Sequence, residues 1–211
     1  MTVMEGMTAG PELQKYGGTV FISYARADDV KPPFDKATKG WVTFFWHQLR
    51  WELTNAGLPE AKLWLDRYEI EPAEEFTEKI RAALQQARLL VPILSANWIQ
   101  REYCLKELKE FIATGTGRHN DIVLVRKQEP PTIPDLLKNR QGYEFFTKDP
   151  PTGRPQDFYW RGLKDRAAYF DVLKRLAEWI AARLMPAPRP VAQGQAQEPH
   201  CLPRDATGRA A

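Results

Sequence analysis

Cysteine is almost missing from this sequence. Cys104 and Cys201 stand far apart, so no disulfide framework is indicated and a reducing compartment is the default. Histidine is nearly as scarce, with 3 copies. His47 falls mid-helix with no second histidine or cysteine at ligand spacing, and His119 falls in a loop, so no metal centre is expected. An excess of one charge is lacking too: 30 basic residues face 27 acidic ones, for a net +3. That balance gives no push toward nucleic acid or an anionic membrane surface. The longest apolar run, "LLVPIL" at 89–94, is too short to span a bilayer, and residues 1–18 hold no apolar run of the kind a secretory leader needs. Neither G-x-G-x-x-G nor a P-loop occurs, so a dinucleotide would not be held in the Rossmann manner. These absences predict a soluble, cytoplasmic protein with no nucleic-acid partner.

What is present is apolar and aromatic: 43% hydrophobic residues and 11% aromatics, enough for a core. "TVFISY" (19–24) reads as a buried strand, and "ARADDVKPPFDKATKG" after it as a loop. "WVTFFWHQLRWELTNAG" carries Trp41, Phe44, Phe45, Leu49 and Leu53 at helical spacing, with Gly57 where a C-terminal capping glycine belongs. "KLWLDR" (62–67) reads as a second strand, and Pro72 with Glu74 and Glu75 marks the start of a second helix bearing Phe76, Ile80, Leu84 and Ala87 on one face. "RLLVPILS" lacks polar alternation, as a strand covered on both faces does. A helix from Trp98 to Ala113, a fourth strand over 121–127, a short strand in "YEFF" and a last amphipathic helix in "YFDVLKRLAEWIAARL" follow.

Strand–helix alternation of this kind predicts an α/β fold, a flavodoxin-like doubly wound parallel sheet of about five strands. Ligands bind such sheets beyond the carboxyl ends of the strands. Those ends carry Ser23, Tyr24 and Arg26, then Asp66 and Arg67, then Ser95 to Trp98, then Arg126 and Lys127. Residues 1–16 are expected to be flexible, 17–184 to form the domain, and the Pro/Ala/Gln-rich stretch 185–211 to be disordered.

On the helix from Trp98, the residues Cys104, Leu105, Leu108, Phe111 and Ile112 form the apolar stripe. Glu107 projects at its flank, one turn after Tyr103. Periodicity alone reads it as a boundary glutamate, paired with Arg88 or Arg101. Cys104 reads as core, Asp29 as part of a solvated loop, and Trp98 as packing. Asp66 is as readily a partner of Arg67 or Lys62 as a ligand for a hydroxyl.

Three linked segments resemble a known family. "VFISYARADD" is similar to the opening motif of Toll/interleukin receptor (TIR) domains. "LWLDRYEIEPAEEFTEKIRAAL" resembles their second strand, BB loop and following helix, and "VPILSANWIQREYCLKEL" resembles the segment S-x-x-[WY]-x-x-S-x-[WY]-C-x-x-E-L. The last departs from the pattern at Arg101 and Glu102, where the family often has serine plus another residue.

Many bacterial and plant TIR domains cleave NAD+ at the nicotinamide–ribose bond, with the catalytic glutamate closing an aromatic-x-x-x-Glu element. "YCLKE" places that role on Glu107. The resemblance implies that Ser23, Tyr24, Arg26, Asp66, Trp98 and Tyr103 bind substrate, with Asp28 in a loop bordering nicotinamide and ribose. NAD+ would be the substrate, so no separate cofactor is implied, and the product would be ADP-ribose or a cyclic isomer. It also implies self-association through the BB loop, on Tyr68, Ile70 and Pro72, and a role in defence signalling or NAD+ depletion.

Two other readings compete. A non-catalytic TIR adaptor would act by homotypic association alone. A receiver-type phosphoacceptor needs an aspartate at the end of the third strand, where this sequence has Ser95.

Overall fold

The computed structural model describes residues 19–31, 39–65, 73–115, 118–158 and 163–185. Asp66, Tyr68, Ile70 and Pro72 lie outside the described residues, as do both termini expected to be flexible or disordered, apart from Met185.

Five strands build one parallel sheet: β1 (Thr19–Ser23), β2 (Lys62–Leu65), β3 (Ala87–Leu94), β4 (Leu124–Arg126) and β5 (Gly142–Glu144). Their order, β2-β1-β3-β4-β5, is the expected flavodoxin-like one. The period-2 alternation of β1 sorts its side chains between two cores. Val20 and Ile22 pack with Phe45 and Leu49 of α1 (Trp41–Asn55) and Leu173 and Leu176 of α5 (Leu163–Leu184). Phe21 faces the other way, among Leu84 of α2 (Ala73–Gln86), Trp98 of α3 (Ala96–Gln100), and Leu108 and Phe111 of α4 (Glu102–Ala113).

The helix ends show why these segments stop where they do. Gly57 has φ +86°, and Leu58 N–H reaches the Leu53 carbonyl at 2.9 Å while Gly57 N–H reaches that of Thr54 at 3.1 Å. This is a Schellman closure, with Leu53 and Leu58 both buried beneath it. At the other end of α1, Asp29 accepts hydrogen bonds from Thr43 N–H at 2.7 Å and from Thr43 Oγ1 at 2.5 Å. Asp29 was expected in a solvated loop. It is half-buried because it satisfies the first turn of α1 from a distance.

Other expectations shift by a few residues. The single helix expected from Trp98 to Ala113 is two, because Arg101 is extended (φ −94°, ψ 109°) between α3 and α4. The strand expected over 121–127 shortens to β4, with Asp121 in a 3-10 turn and Ile122 only bridging to Leu90. "YEFF" bends at the wholly buried Phe145, which divides β5 from β6 (Phe146–Lys148). The proline-rich stretch beyond supplies β7 (Pro155–Asp157), which closes an antiparallel hairpin with β6. Among the described residues no helix is long and apolar enough to cross a membrane, and no cluster of His, Cys, Asp or Glu could hold a metal.

Candidate active site

In this strand order the chain runs outward from β1 to β2, then crosses back to β3, so the topological switch lies between β1 and β3. A crevice beyond the carboxyl ends of those two strands follows from that geometry. Ser23 and Ser95 stand at those two ends.

Ser23 lies two residues beyond Phe21, so strand alternation turns it toward α3 and α4. It is buried, and its Oγ donates to Glu107 Oε2 at 2.5 Å. Trp98 Nε1–H donates to the same Oγ at 3.0 Å. An indole N–H can only donate, so it occupies a lone pair of the serine oxygen, and the serine hydroxyl in turn donates to Glu107.

Glu107 itself is only 3% exposed. It does not sit at the flank of the apolar stripe. Cys104, Glu107, Leu108 and Phe111 are the buried positions of α4, spaced i, i+3, i+4 and i+7, while Leu105 and Ile112 are only half-buried. The carboxylate therefore occupies the middle of a core-facing stripe. Arg88, one expected partner, instead donates to the Leu184 and Arg183 carbonyls at the end of α5. Arg101, the other, is exposed.

The remaining expected residues divide by burial. Trp98 is fully buried, so it meets the site as a hydrogen-bond donor beneath Ser23 and not as an exposed wall. Tyr24 is half-buried, and its carbonyl accepts from Cys104 Sγ at 3.6 Å. Tyr103 is exposed on the first turn of α4, in a different environment from Glu107. Arg26 is exposed at the start of the turn after β1. Cys104 is core, as expected. Burial pushes its thiol pKa up, and the Glu107 and Asp28 carboxylates push it further, which makes it a poor nucleophile.

A second buried carboxylate adjoins this group. The Asp28 side chain is 1% exposed. Its Oδ2 accepts from Ser95 Oγ at 2.5 Å, and its Oδ1 accepts from Asn97 Nδ2 at 3.0 Å and Lys127 Nζ at 3.3 Å. Ser95 Oγ also accepts from Trp98 N–H at 3.0 Å, capping α3. Sequence reasoning placed Ser95 and Lys127 at strand ends without seeing that they converge on Asp28. The available signal was their shared position at carboxyl ends of β3 and β4.

Chemically, the site offers a dehydrated carboxylate with a hydroxyl and an indole N–H behind it. It can stabilise a developing cation or accept hydrogen bonds from a ligand hydroxyl, and its low dielectric strengthens both.

Comparison with solved structures finds similarity to the TIR domain of the Toll-related receptor TRR-2 from Hydra magnipapillata, at 17% identity over 75% of this chain and 96% of that one, with a TM-score of 0.43. A prokaryotic SEFIR domain is similar at 13% identity, over 76% of this chain and 92% of that one, with a TM-score of 0.42. Among curated proteins nothing matches. The TIR domain profile matches residues 20–157, which take in all of the five-stranded sheet but Thr19 together with the Ser23–Glu107 pair, and the chain thus belongs to the TIR domain family.

Proposed function

We propose that this TIR domain, taken as residues 17–184, is an NAD+ glycohydrolase, with Glu107 as its catalytic carboxylate. The observation that carries the reading is a glutamate 3% exposed, inside an apolar stripe, held at the carboxyl end of β1. For folding alone an apolar residue in that stripe would serve better, since burying a carboxylate is costly and hydrophobic replacements of buried charges are often neutral or stabilising.

The chemistry asks for one acid of this kind. When the bond between ribose C1′ and the pyridinium nitrogen breaks, its electron pair returns to the ring and nicotinamide leaves neutral, so no general acid is needed. The ribose becomes oxocarbenium-like, and a nearby anion stabilises that charge. Glu107 can do so directly, or by accepting the ribose hydroxyls in the way it accepts Ser23 Oγ–H. Water then bonds to C1′ and releases a proton to solvent, giving ADP-ribose; attack by an adenine nitrogen instead gives a cyclic isomer. Self-association through Tyr68, Ile70 and Pro72 and a cytoplasmic role in defence or NAD+ depletion complete the proposal.

The adaptor reading takes Ser23, Trp98 and Glu107 as internal packing, and the full burial of Trp98 favours it to that extent. Incubating the full chain with NAD+ and resolving the products by chromatography separates the two. Release of nicotinamide that depends on Glu107 supports the enzyme. No release at high protein concentration supports the adaptor.

A further inference from the structure

We infer that Asp28 and Ser95 form a clamp that orients the Glu107 carboxylate from a distance, through Trp98 and Ser23. For catalysis this rests on the reading of Glu107 given above. The geometry of the clamp stands apart from that reading.

Ser95 has one hydroxyl proton, and Asp28 Oδ2 takes it at 2.5 Å. The hydroxyl oxygen is thereby turned toward Trp98 N–H, at 3.0 Å, and fixes the first turn of α3. Trp98 is the third residue of that short helix, so the cap sets where its indole goes. The indole N–H then meets Ser23 Oγ at 3.0 Å and commits the serine proton to Glu107 Oε2. Each hydroxyl in the run accepts from a tryptophan N–H, which can only donate, and donates its own proton to a carboxyl oxygen.

Asp28 is held in turn by Asn97 and by Lys127, whose ammonium also meets the Asp28 carbonyl at 3.4 Å. The clamp therefore spans the carboxyl ends of β1, β3 and β4, three adjacent strands of the sheet. α3 is short and ends at the extended Arg101, so the fixing of its first turn falls on Ser95. Asp28 and Ser95 are positioning residues: they act on the carboxylate through two intermediates.

The test uses the full chain with labelled tryptophan indoles, and reads both the Trp98 Nε1–H resonance and NAD+ kinetics. Ser95→Ala should move the Trp98 indole resonance and lower kcat at least about tenfold, since misplacement of a catalytic group by about 1 Å can cost a hundredfold. KM should stay within about twofold, because the substrate's remaining contacts are untouched. Ser95→Thr keeps the hydroxyl and should restore both.

Asp29→Asn is the control for general loosening. It weakens the neighbouring cap on α1 but lies outside the run, so it should leave the indole resonance and kcat as they are. Should Ser95→Ala fail to fold, Glu107→Ala reports from the opposite end: it strips the Ser23 hydroxyl of its acceptor and should move the Trp98 indole and, through the cap, the Trp98 backbone amide. An unmoved Trp98 indole in Ser95→Ala, an equal movement in Asp29→Asn, or a Trp98 amide indifferent to Glu107→Ala each overturns the clamp. A wild-type chain that releases no nicotinamide overturns the enzymatic reading instead, and the resonances still decide the clamp.

Discussion

Replacing Glu107 by glutamine should separate catalysis from stability. Glutamine keeps the length of the side chain and an oxygen that can accept from Ser23 Oγ–H, so the run from Trp98 through Ser23 stays satisfied. It removes the charge. If the carboxylate stabilises an oxocarbenium-like ribose, turnover should fall about a hundredfold or more, as for loss of other charge-stabilising groups. The fold should change by less than ~1 kcal/mol, because a buried charge is exchanged for a neutral amide in the same space. For a domain of this size that is a melting shift of about 2–4 °C at most.

Glu107→Ala is the informative contrast. It should abolish cleavage as fully, yet it leaves the Ser23 hydroxyl without its buried acceptor. An unsatisfied buried donor costs about 1–3 kcal/mol, and the void left by the side chain adds to it. Nicotinamide release by chromatography and a thermal melt of the same samples measure both quantities. Near-wild-type turnover in Glu107→Gln would refute the reasoning outright. A Glu107→Gln melt lowered as far as that of Glu107→Ala would show that the charge itself holds the fold, which is the adaptor reading.

Further expectations rest on single features. Cys104 should resist thiol reagents in the native Cys201→Ser variant and react only on unfolding, since it is 2% exposed and its pKa is raised by burial; native labelling at mildly alkaline pH would contradict this. Glu52 has its pKa raised by partial burial and by Glu178, against the opposing pull of Lys174. A raised carboxyl pKa favours the fold while the group is protonated and loses that contribution as pH rises past the folded value. Glu52→Gln should therefore stabilise by less than ~1 kcal/mol near neutral pH, a solvent-screened effect, and lose that advantage near pH 4; melts across that range test the sign. Gly40→Ala should be among the most damaging single changes, because a Cβ there overlaps the Asp29 carbonyl and displaces the cap on α1; a melt within a degree or two of wild type would count against that role for Asp29. Ile70→Asp should lower NAD+ turnover, and specific activity should rise with protein concentration; a flat dilution series with normal cleavage by the variant would dismiss self-association.

The sheet was legible because β1 and β3 carry unbroken apolar runs buried on both faces while its helices are amphipathic, so the change from continuous apolar run to period 3.6 is written into "TVFISY", "LLVPIL" and the α5 stripe. Boundaries drifted where local and tertiary demands part. Arg101 breaks a helix that periodicity carries straight through, because Trp98 and Glu107 have to approach Ser23 from two directions. The same drift misplaced Glu107: counting Leu105 and Ile112 as full members rotated the apolar stripe and left the glutamate on its flank. Only the motif resemblance singled it out, and that resemblance says nothing of how the carboxylate is held. Asp28 and Ser95 are 67 residues apart, and Ser23 and Glu107 are 84 apart, so no window of sequence contains either hydrogen bond. With the stripe placed on Cys104, Leu108 and Phe111, the glutamate at i+3 is a local rule broken inside a consistent helix. Such departures are where function is to be sought, because the rest of the helix already satisfies the fold without them.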